Sequence, residues 1–210
     1  MRSSIEMATM LVVTGITNFC MFPAIYQLYQ KELVFEAFIG MFTMVTSFLY
    51  HCCDSIDNPL WLSELQWHRL DNIGSVMSFV SWAIYLMDLH HVNAKRYLQY
   101  TFFATVLVTQ EKNPWDDLSA ATPIVSAFIL LFLSFAIRRR VPTYDYVELR
   151  RGTLLLCFAV ACFTKGLDDD HDPFRFFHGC WHGFVGAAAF FNFRVVITAH
   201  KTSHLPTKRI

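Results

Sequence analysis

The sequence predicts an all-α membrane protein, a single bundle of seven transmembrane helices with its N-terminus outside and its C-terminus inside. Of its 210 residues, 54% are hydrophobic, 16% are charged and 21 are phenylalanines. The charges lie mainly in short joints between long apolar segments, and about 20 apolar residues are enough to cross the hydrocarbon core of a bilayer. The formal net charge is zero, so the composition gives no reason to expect nucleic acid as a partner.

Apolar segments place the first four helices. Pro23 predicts a kink in the first helix, and a tight polar joint separates it from the second. A polar loop over residues 54–67 leads to the third helix. The fourth is the shortest, because Lys95 and Arg96 belong to the loop before it. These four predicted helices are Ile5–Tyr29, Leu33–Cys53, His68–Met87 and Tyr97–Gln110.

The remaining three helices are separated by clear breaks. Asn113-Pro114 interrupts the chain before the fifth helix, which stops at the arginines 138–140. An acidic joint at residues 168–172 precedes the last helix. No internal repeat is evident, so residues 1–210 form one domain. These predicted helices are Leu118–Ile137, Gly152–Leu167 and Phe174–Ala199.

The basic residues predict the orientation of the bundle. Lysines and arginines in short loops stay on the cytoplasmic side. With an outside N-terminus, the inner joints receive Lys31, Lys95, Arg96 and the arginines 138–140. The start of the chain reads as a first spanning helix rather than as a removable signal. We therefore expect a multi-pass protein of the plasma membrane or of a secretory-pathway membrane.

A pair of histidines near the start of the last helix predicts a metal site. His178 and His182 are four residues apart, so their imidazoles project from one helical face. That spacing lets both reach one ion at about 2.0–2.1 Å, as zinc requires. His51, at the end of the second helix, lies at the same membrane face in the predicted topology. We expect these three histidines to bind Zn²⁺, since ionisable groups inside a membrane need partners.

Two further residues predict chemistry beside this ion. Three imidazoles leave a fourth position open, as in catalytic zinc sites, where the pKa of a water falls to about 7. Asp71, at the start of the third helix, could take that water's proton or orient it. Ser47 lies one helical turn before His51 and could hydrogen-bond the water or a developing oxyanion.

The six cysteines read mainly as small buried hydrophobic residues, since most lie inside apolar segments and none has C-x2-C spacing. A disulfide from Cys52 or Cys53 to another outer cysteine stays open if that face is oxidising. Cys180 lies two residues from each histidine of its helix and therefore points away from the ion.

These motifs resemble the transmembrane-protein-8 and myomaker family, which belongs to the superfamily of alkaline ceramidases and adiponectin receptors. The combined S-x3-H, D and H-x3-H set is typical of the superfamily, whereas an aspartate at 54 and a tryptophan inside H-x3-H point to the family. The resemblance extends from Leu33 to Ala199. The residues that carry it are Ser47-x3-His51, Cys53-Asp54, Asp71-x2-Gly74-Ser75 and His178-x2-Trp181-His182.

The resemblance implies a seven-helix fold with zinc on three histidines and a serine and an aspartate beside it. Carried over, the zinc ligands are His51, His178 and His182, and the accessory residues are Ser47 and Asp71. The superfamily includes hydrolases of lipid amides and esters, among them a phospholipase for GPI anchors, whereas myomaker serves myoblast fusion.

Two functions therefore stand as hypotheses. The first is a zinc-dependent hydrolase that cleaves an amide or ester bond of a membrane lipid, ceramide-, phospholipid- or GPI-like, at the outer or lumenal face. The second is a non-enzymatic multi-pass protein of fusion, adhesion or signalling in which zinc is structural. A transporter is a weaker third, since it would call for polar residues near the midplane and broken helices. The sequence does not specify the oligomeric state.

Overall fold

The computed structural model describes residues 3–112, 116–168 and 172–197. Within these residues the chain forms seven helices and no β-strand beyond two isolated bridges. The all-α prediction is therefore confirmed. The helices are α1 Ser4–Gln30, α2 Val34–Ile56, α3 Glu64–Leu86, α4 Val92–Lys112, α5 Asp117–Arg138, α6 Tyr146–Lys165 and α7 Phe176–Asn192.

Three of these helices, α1, α2 and α5, are long and apolar enough to cross a membrane. Helix α5 presents large apolar side chains on its surface, and Phe132 and Ile137 are 65% and 81% exposed. Such exposure is unfavourable in water and suits contact with lipid chains. The length and composition of the helices thus agree with a membrane protein.

Helix α3 lies at the centre of the bundle and packs against α2, α4 and α5. Its residues Met77, Val80, Ala83 and Ile84 are almost fully buried and form much of the largest apolar core. Helix α7 lies on the other side of the bundle, between α1 and α6.

Helix α1 is continuous but irregular. Regular helix over Ser4–Met10 widens into a π-turn at Leu11–Gly15, tightens to 3₁₀ geometry over Ile16–Met21, and becomes regular again at Phe22–Gln30. The irregular stretch ends just before Pro23, the position of the predicted kink, and proline is well tolerated in the first turn of the helix that follows. π-turns inside helices often mark functional positions.

The fourth helix is much longer than predicted. It begins at Val92 and ends at Lys112, and Lys95 in its first turn has a partner on α2 instead of belonging to a loop. The Nζ atom of Lys95 lies 2.6 Å from a carboxylate oxygen of Glu36 on α2, and Glu36 is buried.

The third and sixth helices begin earlier than predicted because side chains cap them. Ser63 and Gln66 form a reciprocal capping box at the start of α3. Asp145 accepts the backbone N–H groups of Val147 and Glu148 at the start of α6. Such caps satisfy N–H groups that have no partner within the helix.

The prediction that the last helix continues to Ala199 is wrong, since α7 ends at Asn192. The chain then turns, and the N–H of Asp145 donates to the Val195 carbonyl while the N–H of Ile197 donates to the Thr143 carbonyl. The hydropathy of this segment predicts helix, but its β-branched residues suit such extended pairing. Residues 198 and 199 lie outside the described residues.

Helix α7 contacts α1 at glycines. A Cβ at Gly179 would overlap the carbonyl oxygen of Val13, and one at Gly186 would lie 2.8 Å from that of Cys20. Gly183 differs, because a Cβ there would meet nothing within 4 Å. Gly183 therefore takes no part in this close packing, unlike Gly179 and Gly186.

We expect Gly179→Ala to force α7 away from α1 and to lower the free energy of unfolding by about 1–3 kcal/mol, as overpacking does. Thermal unfolding of the detergent-solubilised protein measures the change. Gly183→Ala is the matched control on the same helix and should leave the unfolding temperature close to that of the wild type. Equal effects of both substitutions would contradict the packing described.

Candidate metal centre

Three histidines converge at one end of the bundle. His51 lies five residues before the end of α2, and His178 and His182 lie in the first two turns of α7. The ring centroids are 4.8 Å apart for His51–His178, 4.9 Å for His51–His182 and 4.8 Å for His178–His182. The sequence prediction that these side chains come together is thus in agreement with the structure.

The ligand atoms of the three histidines face one another. The Nε2 atoms of His51 and His178 are 3.2 Å apart, and one nitrogen from each of the three rings lies within 4.8 Å of the others. Tetrahedral coordination at about 2.1 Å would bring each pair of nitrogens to about 3.4 Å. His51 and His182 are buried, and His178 is half-buried. The cluster therefore fits a metal ion, and imidazole suits zinc, copper, iron and nickel.

Thr17 on α1 fixes the tautomer of His182. Its Oγ1 lies 2.6 Å from the Val13 carbonyl oxygen and 3.1 Å from Nδ1 of His182. Because the single hydroxyl hydrogen goes to the carbonyl, the hydroxyl oxygen accepts a hydrogen bond from Nδ1–H. The lone pair of Nε2 is then free for a metal ion, and such partners of ligand histidines are typical of metal sites.

The irregularity of α1 lies where this contact is made. Thr17 belongs to the 3₁₀ stretch that follows the π-turn, and the carbonyl of Thr14 also accepts a hydrogen bond from His182. That carbonyl also accepts the side-chain amide of Asn18 at 2.7 Å. The widened turn thus offers polar backbone to the cluster.

Ser47 and Asp71 meet one turn from the cluster. Ser47 is buried on α2, four residues before His51. Asp71 on α3 accepts hydrogen bonds from Ser47 and from Ser75, the latter at 3.4 Å. The carboxylate is therefore held by two hydroxyls at the contact between α2 and α3, at the level where the histidines gather.

A fourth histidine beside the cluster has no role in the sequence-based hypothesis. His68 lies three residues before Asp71 on the same face of α3, and its ring centroid is 4.9 Å from that of Tyr50. The Tyr50 ring is in turn 4.7 Å from that of His51. The i, i+3 spacing of His68 and Asp71 was the available signal.

The helix ends that supply the histidines are held by two aspartates. Asp54 on α2 pairs with Arg175, at 3.8 Å between Oδ2 and Nε. The carboxylate of Asp172 accepts the N–H groups of Phe176 at 2.7 Å, Phe177 at 2.8 Å and His178 at 3.4 Å. Asp172 is 4% exposed, so this end of the acidic joint is buried. Residues 169–171 lie outside the described residues.

All six cysteines are free thiols, and Cys52 and Cys53 are buried. The disulfide that the sequence left open is therefore not formed. Within the described residues, the metal-ligand cluster consists of histidines alone, as expected for a Cys180 that points away from it. Trp181, the tryptophan inside the H-x3-H motif, packs on Phe163 of α6 at 5.0 Å between ring centroids.

The fold and the cluster define a class of protein: an all-helical chain with candidate membrane spans and a three-histidine cluster that could hold a metal ion. The chain belongs to the family described as "Protein of unknown function (DUF3522)", whose model matches residues 6–183. No curated protein matches the chain. The matched range includes all three histidines, together with Ser47 and Asp71.

We expect Thr17→Val to weaken zinc binding about 10- to 100-fold, as is typical when the partner of a ligand histidine is lost. Thr17→Ser keeps the hydroxyl and should bind zinc like the wild type. Competition with a fluorescent chelator gives the affinities. Thr9→Val is the control on the same helix, because the Thr9 hydroxyl donates to the Ile5 carbonyl. Unchanged affinity in Thr17→Val would refute the role of this hydrogen bond.

Proposed function

We propose that the protein is a zinc-dependent hydrolase that cleaves an amide or ester bond of a membrane lipid, ceramide-, phospholipid- or GPI-like. One observation carries this proposal: three histidines with converging ring nitrogens lie one helical turn from a hydrogen-bonded Ser47–Asp71 pair. A metal ion by itself does not indicate hydrolysis, because structural sites also hold metal ions. A carboxylate and a hydroxyl held beside a three-imidazole cluster are what hydrolysis requires in addition.

In this proposal His51, His178 and His182 hold the ion. When bound, zinc supplies a Lewis acid and lowers the pKa of water to about 7. Asp71 accepts a proton from the water that attacks the lipid carbonyl, and it returns that proton to the leaving group. Ser47 orients that carboxylate, and once Asp71 has taken up the proton, the Ser47 hydroxyl can donate its hydrogen to negative charge on the substrate oxygen. Thr17 keeps the His182 ring in place.

The proposal places all seven helices across the membrane, with the N-terminus outside. Exposed apolar side chains on helices beyond the three candidate spans support this, among them Leu154 and Phe158 of α6 at 50% and 59%. The histidine cluster then lies near the outer face, where lipid enters from the bilayer. The placement within the superfamily of alkaline ceramidases and adiponectin receptors is part of the proposal and rests on the S-x3-H, D and H-x3-H residues.

The topology can be tested by labelling engineered cysteines in cells with a membrane-impermeant reagent. We expect Asn58→Cys, between α2 and α3, and Arg140→Cys, between α5 and α6, to react from opposite sides, because three spans separate them. Asn58→Cys should react from the outer or lumenal side. Labelling of both positions from one side would contradict the seven-span arrangement.

The second candidate is a non-enzymatic membrane protein in which the metal ion braces the bundle. His51 is 1% exposed and His182 is 5% exposed, and such burial suits a structural ion that no substrate approaches. The two candidates differ in the role of Asp71, which is needed for hydrolysis and dispensable for bracing.

The purified protein in lipid nanodiscs, incubated with ceramide, lysophospholipid and GPI-like substrates, separates the two. We expect product from one of these classes, at least about 100-fold less in Asp71→Asn, as loss of a general base predicts, and none in His182→Ala. Asn at 71 keeps an acceptor for Ser47 and Ser75, so the fold should survive. The control His90→Ala, an exposed histidine, should leave turnover unchanged. No product from any class, with zinc bound, would favour the bracing role.

A further inference from the structure

Helix α3 also lines a cleft, on a side different from the one that bears Asp71. This cleft of about 760 Å³ opens between the first half of α3 and the last turns of α4, and its volume falls in the range typical of ligand pockets. Asp71 and Ser75 face α2, whereas Arg69 and Ile73, at a different angle around the helix, line this cleft. The residues that line it are Leu62, Gln66, Arg69, Leu70, Ile73, Leu107, Val108, Glu111 and Lys112.

The cleft is apolar along its walls and charged at one end. Leu107 and Val108 of α4 are exposed at 41% and 73%, and with Leu70 and Ile73 they form a surface suited to a hydrocarbon chain. The charged residues follow one turn along α4 and near the start of α3. Two of them, Arg69 and Lys112, are basic, and one, Glu111, is acidic.

Arg69 holds an unused donor at this charged end. Its Nη1 lies 2.7 Å from Glu111, whose carboxylate is 71% exposed. Its Nε is buried and has no hydrogen-bond partner among the described residues. A buried donor without a partner is unfavourable, and guanidinium groups bind phosphate oxygens well through several N–H groups at once. The exposed ion pair to Glu111 contributes little to stability, and it engages Nη1 of the guanidinium, not Nε.

We infer that this cleft binds a phospholipid of the bilayer that carries an anionic head group. One acyl chain lies along Leu70, Ile73, Leu107 and Val108, and the phosphate contacts Arg69 and Lys112. A net positive charge beside an apolar wall selects an anionic amphiphile over a zwitterionic one. The site is separate from the metal centre, and it does not rest on the protein being a hydrolase.

Native mass spectrometry of the detergent-purified chain tests this site. We expect phosphatidylglycerol to bind at least about fivefold more tightly than phosphatidylcholine with the same acyl chains, because a basic residue at the membrane surface attracts an anionic lipid. Arg69→Gln and Lys112→Gln should each weaken the binding of phosphatidylglycerol by about the same factor. Val108→Trp should block the acyl chain and weaken both lipids. Glu111→Gln should bind phosphatidylglycerol at least as well as the wild type.

The controls separate a lipid site from other sources of the signal. Arg96→Gln, an exposed basic residue of α4 at the opposite end of the helix, should change nothing. His182→Ala should retain lipid binding, so failure of the hydrolase proposal and failure of this one are distinguishable. Equal binding of the two lipids, full binding by Val108→Trp, or displacement of phosphatidylglycerol by millimolar inorganic phosphate would overturn the inference.

Discussion

Three imidazoles within 4.8 Å of one another constrain where α2 and α7 can lie at one end of the bundle. Other contacts at this end act in the same direction. The ion pair of Asp54 with Arg175 joins the end of α2 to the start of α7, and Asp172 holds the first N–H groups of α7. Gly179 lets α7 approach α1 closely enough for Thr17 to reach His182. The histidine cluster is thus the product of several long-range contacts.

The opposite end of the bundle is held by polar contacts of another kind. The carbonyl of Phe193 accepts hydrogen bonds from Lys31 at 2.8 Å and from Tyr85 at 2.9 Å, so α1 and α3 both hold the chain after α7. The buried Glu36 pairs with Lys95 of α4. Between the two ends, the largest core cluster is apolar, and a few hydroxyls such as those of Thr43 and Ser81 are buried near it. Polar contacts at both ends and apolar side chains on the outside match a solvent that is hydrocarbon in the middle and aqueous at its two faces.

The sequence predicted the helices well and their ends poorly. Hydropathy predicts seven segments, but it places charged residues in loops, so the predicted helices corresponding to α3, α4 and α6 lack their first turns. The caps at Ser63 and Asp145 were readable and would have placed two of these starts. Helical spacing predicts that His178 and His182 share one helical face. The predicted topology places His51 and Asp71 at the same membrane depth as these two histidines.

Other features of the site had no local signal. Thr17, the hydrogen-bond partner of His182, is 165 residues away in sequence. Which residue of α1 reaches His182 depends on the rotation of α1 about its own axis. The π-turn that precedes Thr17 leaves no mark in composition or periodicity. The pairing of Asp54 with Arg175 likewise depends on the packing of α2 against α7. Such contacts follow from tertiary structure, which hydrophobic patterns constrain only loosely.

Zinc K-edge X-ray absorption spectroscopy of the purified protein tests the central claim most directly, because it reports the ion and its ligands together. The account predicts about one zinc per chain with three imidazole nitrogens at about 2.0–2.1 Å and no sulfur ligand, and loss of that signal in His51→Ala. A folded wild-type protein that binds no transition metal, or an ion bound through cysteine sulfur, would contradict it.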